Sequence, residues 1–464
     1  MSLLNLRQHF KHNVHHPLEA QRKVFADLSR IYQVNTYDEF TAAYPISDYN
    51  ELSARLFYKD KINPQVDYYV RSSGTTSAEK HIPISKTFLA ENHQKVARYC
   101  LYNLLFHFRQ YHLFNGRNLA LTGYTYPQKY NDIPVYDISA LLFQSRPLLY
   151  KYISYPRMLF ANWEAKLSHL KSSFRDISKS TSISGVPTWM FSLFNQLEKE
   201  RGISTHLLFP KLKLIIHGGV NFANYFEKFN TCFPDRKLEY FETYNATEGF
   251  YGFQLSPASN ALVLCTNAGI FYEFKNETGV FPIWDVQPGG SYELLISNRD
   301  GLIRYKTGDI ISIQSVQPFL FTISGRTTEY TNAFGEDLVL SQTNKAIEML
   351  SRRHNINILD YFVVPHYSSE KEIGYHEWYF FVDHPLPNKA QLEKELDAII
   401  CDLNNNYRQK RHGSLAMQNL RIIELWNNGY QDFIRRQNKN VGGQAKIKKL
   451  HNDRKILQVL KFDT

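Results

Sequence analysis

Cysteine is scarce in this chain. Cys100, Cys232, Cys265 and Cys401 are its four, far apart and with no close-spaced pair. That spacing argues against a disulfide framework and against a zinc site, and it fits a reducing compartment. Long apolar runs are missing too. No uninterrupted stretch approaches the roughly 20 residues that a membrane span needs. The opening MSLLNLRQHFKHNVHH holds no apolar run of signal-peptide length. The expectation is a soluble, cytoplasmic protein with no membrane partner. No internal repeat or low-complexity segment is visible.

What is present points to a globular protein of more than one domain. The 464 residues exceed one compact core, so a large domain and a smaller one are expected. Hydrophobic residues make up 43% and charged residues 21%, ordinary for a globular chain. Aromatics are high, with 31 Tyr and 32 Phe. Ring by ring, core packing is the better expectation, with some rings left for a pocket. Net charge is +10 and is uneven: residues 435–464 carry nine Lys and Arg against Asp453 and Asp463, a net +7. Such a tail suits a polyanion, a solvated face, or a cap over a polyphosphate substrate.

Along the chain, 17–30 reads as a helix with Pro17 in its first turn, and QVDYYV (65–70) as a short strand. A long helix is predicted from Ser85 to about Phe108. KLKLIIHGGV (211–220) is a strand ending in Gly-Gly, and KLEYFETYNATEGFYG (237–252) a strand running into a polar and aromatic loop. SYELLISNRDGLIRYKTGDIISI (291–313) is a hairpin with Asp300-Gly301 at its turn. After about residue 327 the pattern changes to helix (344–355), strands (358–367, 375–384), an amphipathic helix (391–411) and a strand (419–426). The fold class is α/β. The large N-terminal domain, 1–326, has β-sheets flanked by helices plus a β-barrel-like part. The small C-terminal domain, 327–464, is α+β with an antiparallel sheet.

Three loops suit a nucleotide. The first, Arg71-Ser72-Ser73-Gly74-Thr75-Thr76-Ser77-Ala78-Glu79-Lys80, follows a strand with small hydroxyl residues and closes on lysine. Small residues let backbone N–H groups approach an anion, and lysine adds charge. It is not a Walker loop, because Glu79 stands where that motif has glycine. The second, Tyr244-Asn245-Ala246-Thr247-Glu248-Gly249, offers a flat ring for a base, a hydroxyl for phosphate and a carboxylate for magnesium. The third, Arg304-Tyr305-Lys306-Thr307-Gly308-Asp309, places an aspartate where it could accept from both ribose hydroxyls. Each alone also reads as a polar turn.

Their order and spacing resemble the adenylate-forming superfamily, and more closely the plant auxin-responsive (Gretchen Hagen) acyl acid amido synthetases and their bacterial relatives. HPLEAQRKVFADL, PISDYNEL, SSGTTSAEK, SGVPTWM, IIHGGV, YNATEG, GGSYELLISNRDGLIRYKTGDII, SGRTTEYTNAFGEDL and GGQAKIKKL fall in the family's order. The resemblance implies an ATP- and magnesium-dependent ligase that makes an acyl-adenylate and passes the acyl group to an amine, that of an amino acid. It implies Ser72, Ser73, Thr75, Thr76 and Lys80 at the pyrophosphate, and Gly218, Gly219 and Val220 at adenine. Tyr244 would lie against the adenine ring, Thr247 at the α-phosphate, Glu248 at magnesium, Asp309 on ribose, and Arg326 at ribose or phosphate. Lys446 would come from a mobile C-terminal domain and neutralise charge as pyrophosphate leaves. For the acid, Val186, Trp189 and Phe250 are the candidates, with core packing equally open to each. His217 reads as a structural strand-end residue.

Two departures concern the C-terminal domain. Plant members tend to carry lysine where Asp337 follows Glu336. Relatives also tend to have an aromatic before the C-terminal lysine and Pro-Arg after it, where this chain has Ala445 and Ile447-Lys448-Lys449. Both put more weight on Lys446 or Lys80. Two other functions compete: an acyl–coenzyme A ligase sharing the adenylation step, and a non-catalytic protein binding polyanions through 435–464.

Overall fold

Four short β-rich runs, Arg117–Ala120, Ser180–Gly185, Leu214–His217 and Glu239–Asn245, pair side by side and parallel. Buried on both faces, they read as apolar rather than alternating: Leu119, Ile183, Leu214, Ile215 and Phe241 are fully buried. The computed structural model describes residues 3–56, 66–72, 80–123, 125–146, 148–160, 163–219, 222–326, 329–367, 373–382, 384–412, 416–426 and 448–460. These fall into two compact units, one holding the described residues up to 326 and the other those from 329.

In the first unit these parallel strands, with Ser154–Tyr155 beyond Arg117–Ala120, form one end of a twelve-stranded sheet. Beyond Glu239–Asn245 the sheet turns antiparallel through Phe250–Gln254, Leu262–Leu264 and Phe319–Arg326. It continues through Tyr305–Val316, Ser291–Asn298 and Ile270–Asn276 to Gly279–Pro282. The hairpin expected at 291–313 is there, with Tyr292 opposite Ile311. Helix Pro17–Tyr32 is anchored to this half by buried Gln21, which donates to Thr266 O (2.6 Å) and Ile270 O (2.8 Å) and accepts from Tyr272 N (2.9 Å). Helix Pro187–Arg201 starts on proline and stops at left-handed Gly202. It buries Phe194 against Phe209 and Phe233. A four-stranded sheet holds Tyr68–Ser72 between Lys80–Ile84 and Ile133–Tyr136.

The second unit centres on Ile358–His366, Tyr375–Val382 and Arg421–Trp426, with helices Leu340–His354 and Lys389–Leu403. Its sheet corrects one expectation. The first two strands are antiparallel, but Arg421–Trp426 runs parallel to Tyr375–Val382. The intervening helices carry the chain back to the starting end of the sheet, and such a crossover gives a parallel neighbour. The helix expected over 391–411 is also two: the chain breaks at Asn404, whose Oδ1 accepts from Tyr407 N (2.9 Å) and caps Asn405–Arg411. Among the described residues no helix is long and apolar enough to cross a membrane.

Candidate active site

In an open α/β sheet, ligands bind beyond the carboxyl ends of parallel strands, where the strand order reverses. Here the chain runs from Arg117–Ala120 outward to Ser154–Tyr155, then returns to Ser180–Gly185 on the other flank of Arg117–Ala120. The reversal therefore lies between Arg117–Ala120 and Ser180–Gly185. The loops leaving these carboxyl ends touch one another. Leu121 N donates to Ser184 O (2.8 Å). A Cβ on Gly219 would lie 3.5 Å from Val186 Cγ2. A Cβ on Gly218 would lie 2.4 Å from Thr243 O, so only glycine fits there. Val186, Gly218 and Gly219 thus share one edge of the sheet, and Trp189 is half-buried in the helical turn that follows Val186.

The fourth carboxyl end leads into Ala246–Gly249, a tight turn closed by Ala246 N donating to Gly249 O (2.9 Å). Half-buried Glu248 accepts a hydrogen bond from Tyr305 OH (3.2 Å). That hydroxyl accepts in turn from Lys80 Nζ (3.1 Å). The ammonium also lies 5.5 Å from the centre of the Tyr49 ring, near enough for a cation–π contact. Tyr49 OH is fixed by His81 N (2.8 Å). Lysine and glutamate from distant stretches of sequence are thus joined through one buried phenol. Burial first, then the Glu248 carboxylate, hold that phenol's pKa well above its usual value, so it stays a hydroxyl. Tyr305 and Tyr49 escaped the sequence reading. The only signal was Tyr305's place between Arg304 and Asp309.

Beside this chain, Tyr244 OH donates to the buried carboxylate of Asp309, and Asp309 N donates to Thr307 Oγ1 (3.1 Å). Asp309 pairs with Arg326 across neighbouring strands. The Tyr244 ring packs edge-on to Tyr251 (4.9 Å). Thr247 is half-buried in the same turn as Glu248. Phe250 is buried in a cluster with Val96, Tyr99 and Phe253. Arg304 belongs elsewhere: it forms a buried ion pair with Glu273 (3.0 Å). Ser72 ends its strand. Ser73, Thr75, Thr76, Val220 and Lys446 lie outside the described residues.

Two titratable groups sit near the Gly218 loop. His217 stacks on Phe222 (3.7 Å between centroids), and burial lowers its pKa to about 3, so it is neutral at working pH. Its neighbour across the strands, Glu242, is largely buried, and that burial raises its carboxyl to about 7 from 4.5. The folded chain keeps this proton where the unfolded chain has lost it. The resulting stabilisation is complete below pH 4.5 and is lost as pH rises through about 7. Urea unfolding at pH 5 and pH 8 is expected to find Glu242→Gln gaining on the parent as pH rises. An equal difference at both pH values would refute the shift.

Among the described residues no group of three or more His, Cys, Asp or Glu could enclose a metal. Glu248 offers a single half-buried carboxylate. That donor set fits magnesium, which takes one or two carboxylates and completes its shell with water and phosphate. The described cations of the basic tail are mostly engaged within the second unit. Lys449 pairs with Asp360, Arg454 with Glu377 (2.8 Å), and Lys455 with Asp453 (3.7 Å). The family matches below set aside the non-catalytic polyanion-binding alternative.

The sequence matches the GH3 family N-terminal domain over 24–179, its central domain over 262–326 and its C-terminal domain over 341–455. No curated protein matches. Among solved structures, GH3.15 acyl acid amido synthetase is similar with a TM-score of 0.60 at 16% identity, over 97% of this chain and 94% of that one. The AtGH3.15 enzyme in complex with 2,4-DB gives 0.62 at 15%, over 98% and 95%. A 2-hydroxyisobutyryl-CoA ligase in complex with 2-HIB-AMP and CoA gives 0.63 at 11%, over 97% and 93%. At such identities these likenesses establish the fold. They do not separate amide from thioester chemistry.

Proposed function

The chain belongs to the GH3 family, and from that premise we propose that it is an ATP-dependent acyl acid amido synthetase. The observation that carries this reading is the linkage Lys80–Tyr305–Glu248 beside Tyr244–Asp309, at the carboxyl ends of the parallel strands. A cation, a carboxylate suited to magnesium and a carboxylate suited to ribose are what ATP requires, each supplied by a different segment of the chain.

In the first half-reaction a carboxylate oxygen of the acid attacks the α-phosphorus of ATP. The bond from that phosphorus to the bridging oxygen breaks, and pyrophosphate leaves. In the second, an amine nitrogen attacks the acyl carbon, the bond to the AMP oxygen breaks, and the amine gives up a proton. No covalent enzyme intermediate is needed, so catalysis is positioning and charge stabilisation. Asp309 accepts from the ribose hydroxyls and Tyr244 lies against the base. The adenine edge is assigned to the backbone at Gly218, Gly219 and Val220. Ser72, Ser73, Thr75, Thr76 and Lys80 are assigned to the phosphates, Thr247 to the α-phosphate, and Arg326 to ribose or phosphate. Glu248 holds magnesium, which supplies charge neutralisation on the phosphates when bound. The acid lies along the Val186 edge, with Trp189 and Phe250 as candidate walls. Lys446 neutralises the departing pyrophosphate. Adenylation is assigned to residues 1–326 and the mobile role to 327–464.

The deciding experiment offers ATP and a panel of carboxylic acids, with amino acids and coenzyme A present in parallel. Pyrophosphate release and the mass of the acyl product are measured. An amide together with AMP is expected. Thioester as the sole product would turn the reading to an acyl–coenzyme A ligase. Absence of pyrophosphate release with every acid would remove adenylation altogether.

A further inference from the structure

The helix that the sequence predicts over 85–108 is not regular. Between Lys86–Leu89 and Lys95–Phe106 lies a π-helical turn, Ala90–Gln94. Such turns are rare and recur at functional positions, because one extra residue costs helix hydrogen bonding and re-aims the side chains around it. Here the re-aimed residues are Asn92 and His93, consecutive in sequence and both fully buried.

Each meets one end of the Glu248 turn. Asn92 Oδ1 accepts from Phe250 N (2.7 Å), and its Nδ2 donates to Ala268 O (2.9 Å) and, more loosely, to Phe250 O (3.4 Å). The polar neighbour of His93 is the Asn245 amide, which it faces without the geometry of a full hydrogen bond. Asn245 and Phe250 are the paired residues that close the Ala246–Gly249 turn. Asn92 thus holds the residue after the turn by hydrogen bonds, while its neighbour His93 lies beside the residue before it. A buried amide that meets a backbone N–H and a backbone carbonyl fixes that backbone more tightly than apolar packing would.

We propose that Asn92 is a positioning residue that fixes the Ala246–Gly249 turn and, through it, the orientation of the Glu248 carboxylate toward magnesium-bound ATP. This rests on the assignment of Glu248 given above. Residues that orient metal-binding carboxylates typically change metal affinity by about 10–100-fold when removed.

The test compares the parent with Asn92→Ala, and with Asn92→Leu, which keeps the side chain's size without its amide should the alanine variant fail to fold. Hydrogen exchange at Thr247–Gly249 and calorimetric ATP binding, with magnesium and with EDTA, are measured on folded protein. The expected result is faster exchange at the turn and ATP binding weakened about tenfold in magnesium but unchanged in EDTA. The magnesium concentration for half-maximal pyrophosphate release rises in step, and KM for the acid is unchanged. Unaltered exchange at the turn in a folded variant would overturn the positioning role. Faster exchange with unaltered magnesium dependence would instead overturn the assignment of Glu248.

Discussion

Glu248→Gln is expected to slow acyl-adenylate formation by about 10²–10³-fold, the size of effect that removal of one well-placed electrostatic group produces. The substitution is informative because it changes so little else. Glutamine has the same shape, and its carbonyl oxygen can still accept from Tyr305 OH, which the native side chain does at 3.2 Å. What disappears is the negative charge. If Glu248 serves only to brace Tyr305, the glutamine variant should run at the parental rate. If its charge meets magnesium, the rate falls, and raising ATP recovers only the part of the fall that comes from weaker binding. Tyr305→Phe is the companion. It removes the hydroxyl that joins Lys80 to Glu248 but leaves both charges. Its expected cost is smaller, about tenfold, in the range of one hydrogen bond to a charged group. Hydroxamate trapping of the adenylate reads both variants. A Glu248→Gln rate within a factor of two or so of the parent would remove the carboxylate from the reaction.

The order of these effects reflects what was legible in the sequence. Glu248 stands in a turn, Lys80 opens a strand and Asp309 lies within one, and their neighbours in sequence suggest the proposed chemistry: hydroxyls before a lysine, an acid after a threonine, an acid after a threonine and a glycine. The fold was legible for a similar reason. Periodicity marks a hairpin such as 291–313 and a helix such as 17–30 from local sequence alone, and both are present with small shifts at their ends. What escaped depends on which distant segments meet. Tyr305 is one more aromatic in a chain of many, until burial places its hydroxyl between a lysine 225 residues away and a glutamate 57 residues away. Asn92 reads as an indifferent helix residue, and the π-turn that turns it inward has no local signature. The parallel pairing of Arg421–Trp426 follows from how the preceding helices pack, and strand residues alone do not encode it.

Asp309→Ala is expected to lower kcat/KM for ATP by about 10²-fold or more, as two hydrogen bonds to a carboxylate are lost. Asp309 is buried; the hydroxyl of Tyr244 donates to its carboxylate, and its own backbone N–H is held at Thr307 Oγ1 (3.1 Å). A carboxylate's two oxygens accept several hydrogen bonds, and ribose hydroxyls would join that of Tyr244 there. A fall in activity alone would not distinguish that role from damage to the sheet, so nucleotide analogues close the argument. If the carboxylate grips ribose, the parent loses activity with 2′-deoxy-ATP or 3′-deoxy-ATP, while Asp309→Ala treats those analogues and ATP alike. The two changes then remove the same interaction and cease to add. Tyr244→Phe, which takes one donor from Asp309, should keep the discrimination and lose only part of the rate. An Asp309→Ala enzyme that still prefers ATP to both deoxy analogues by the parental margin would place the ribose contact on another residue.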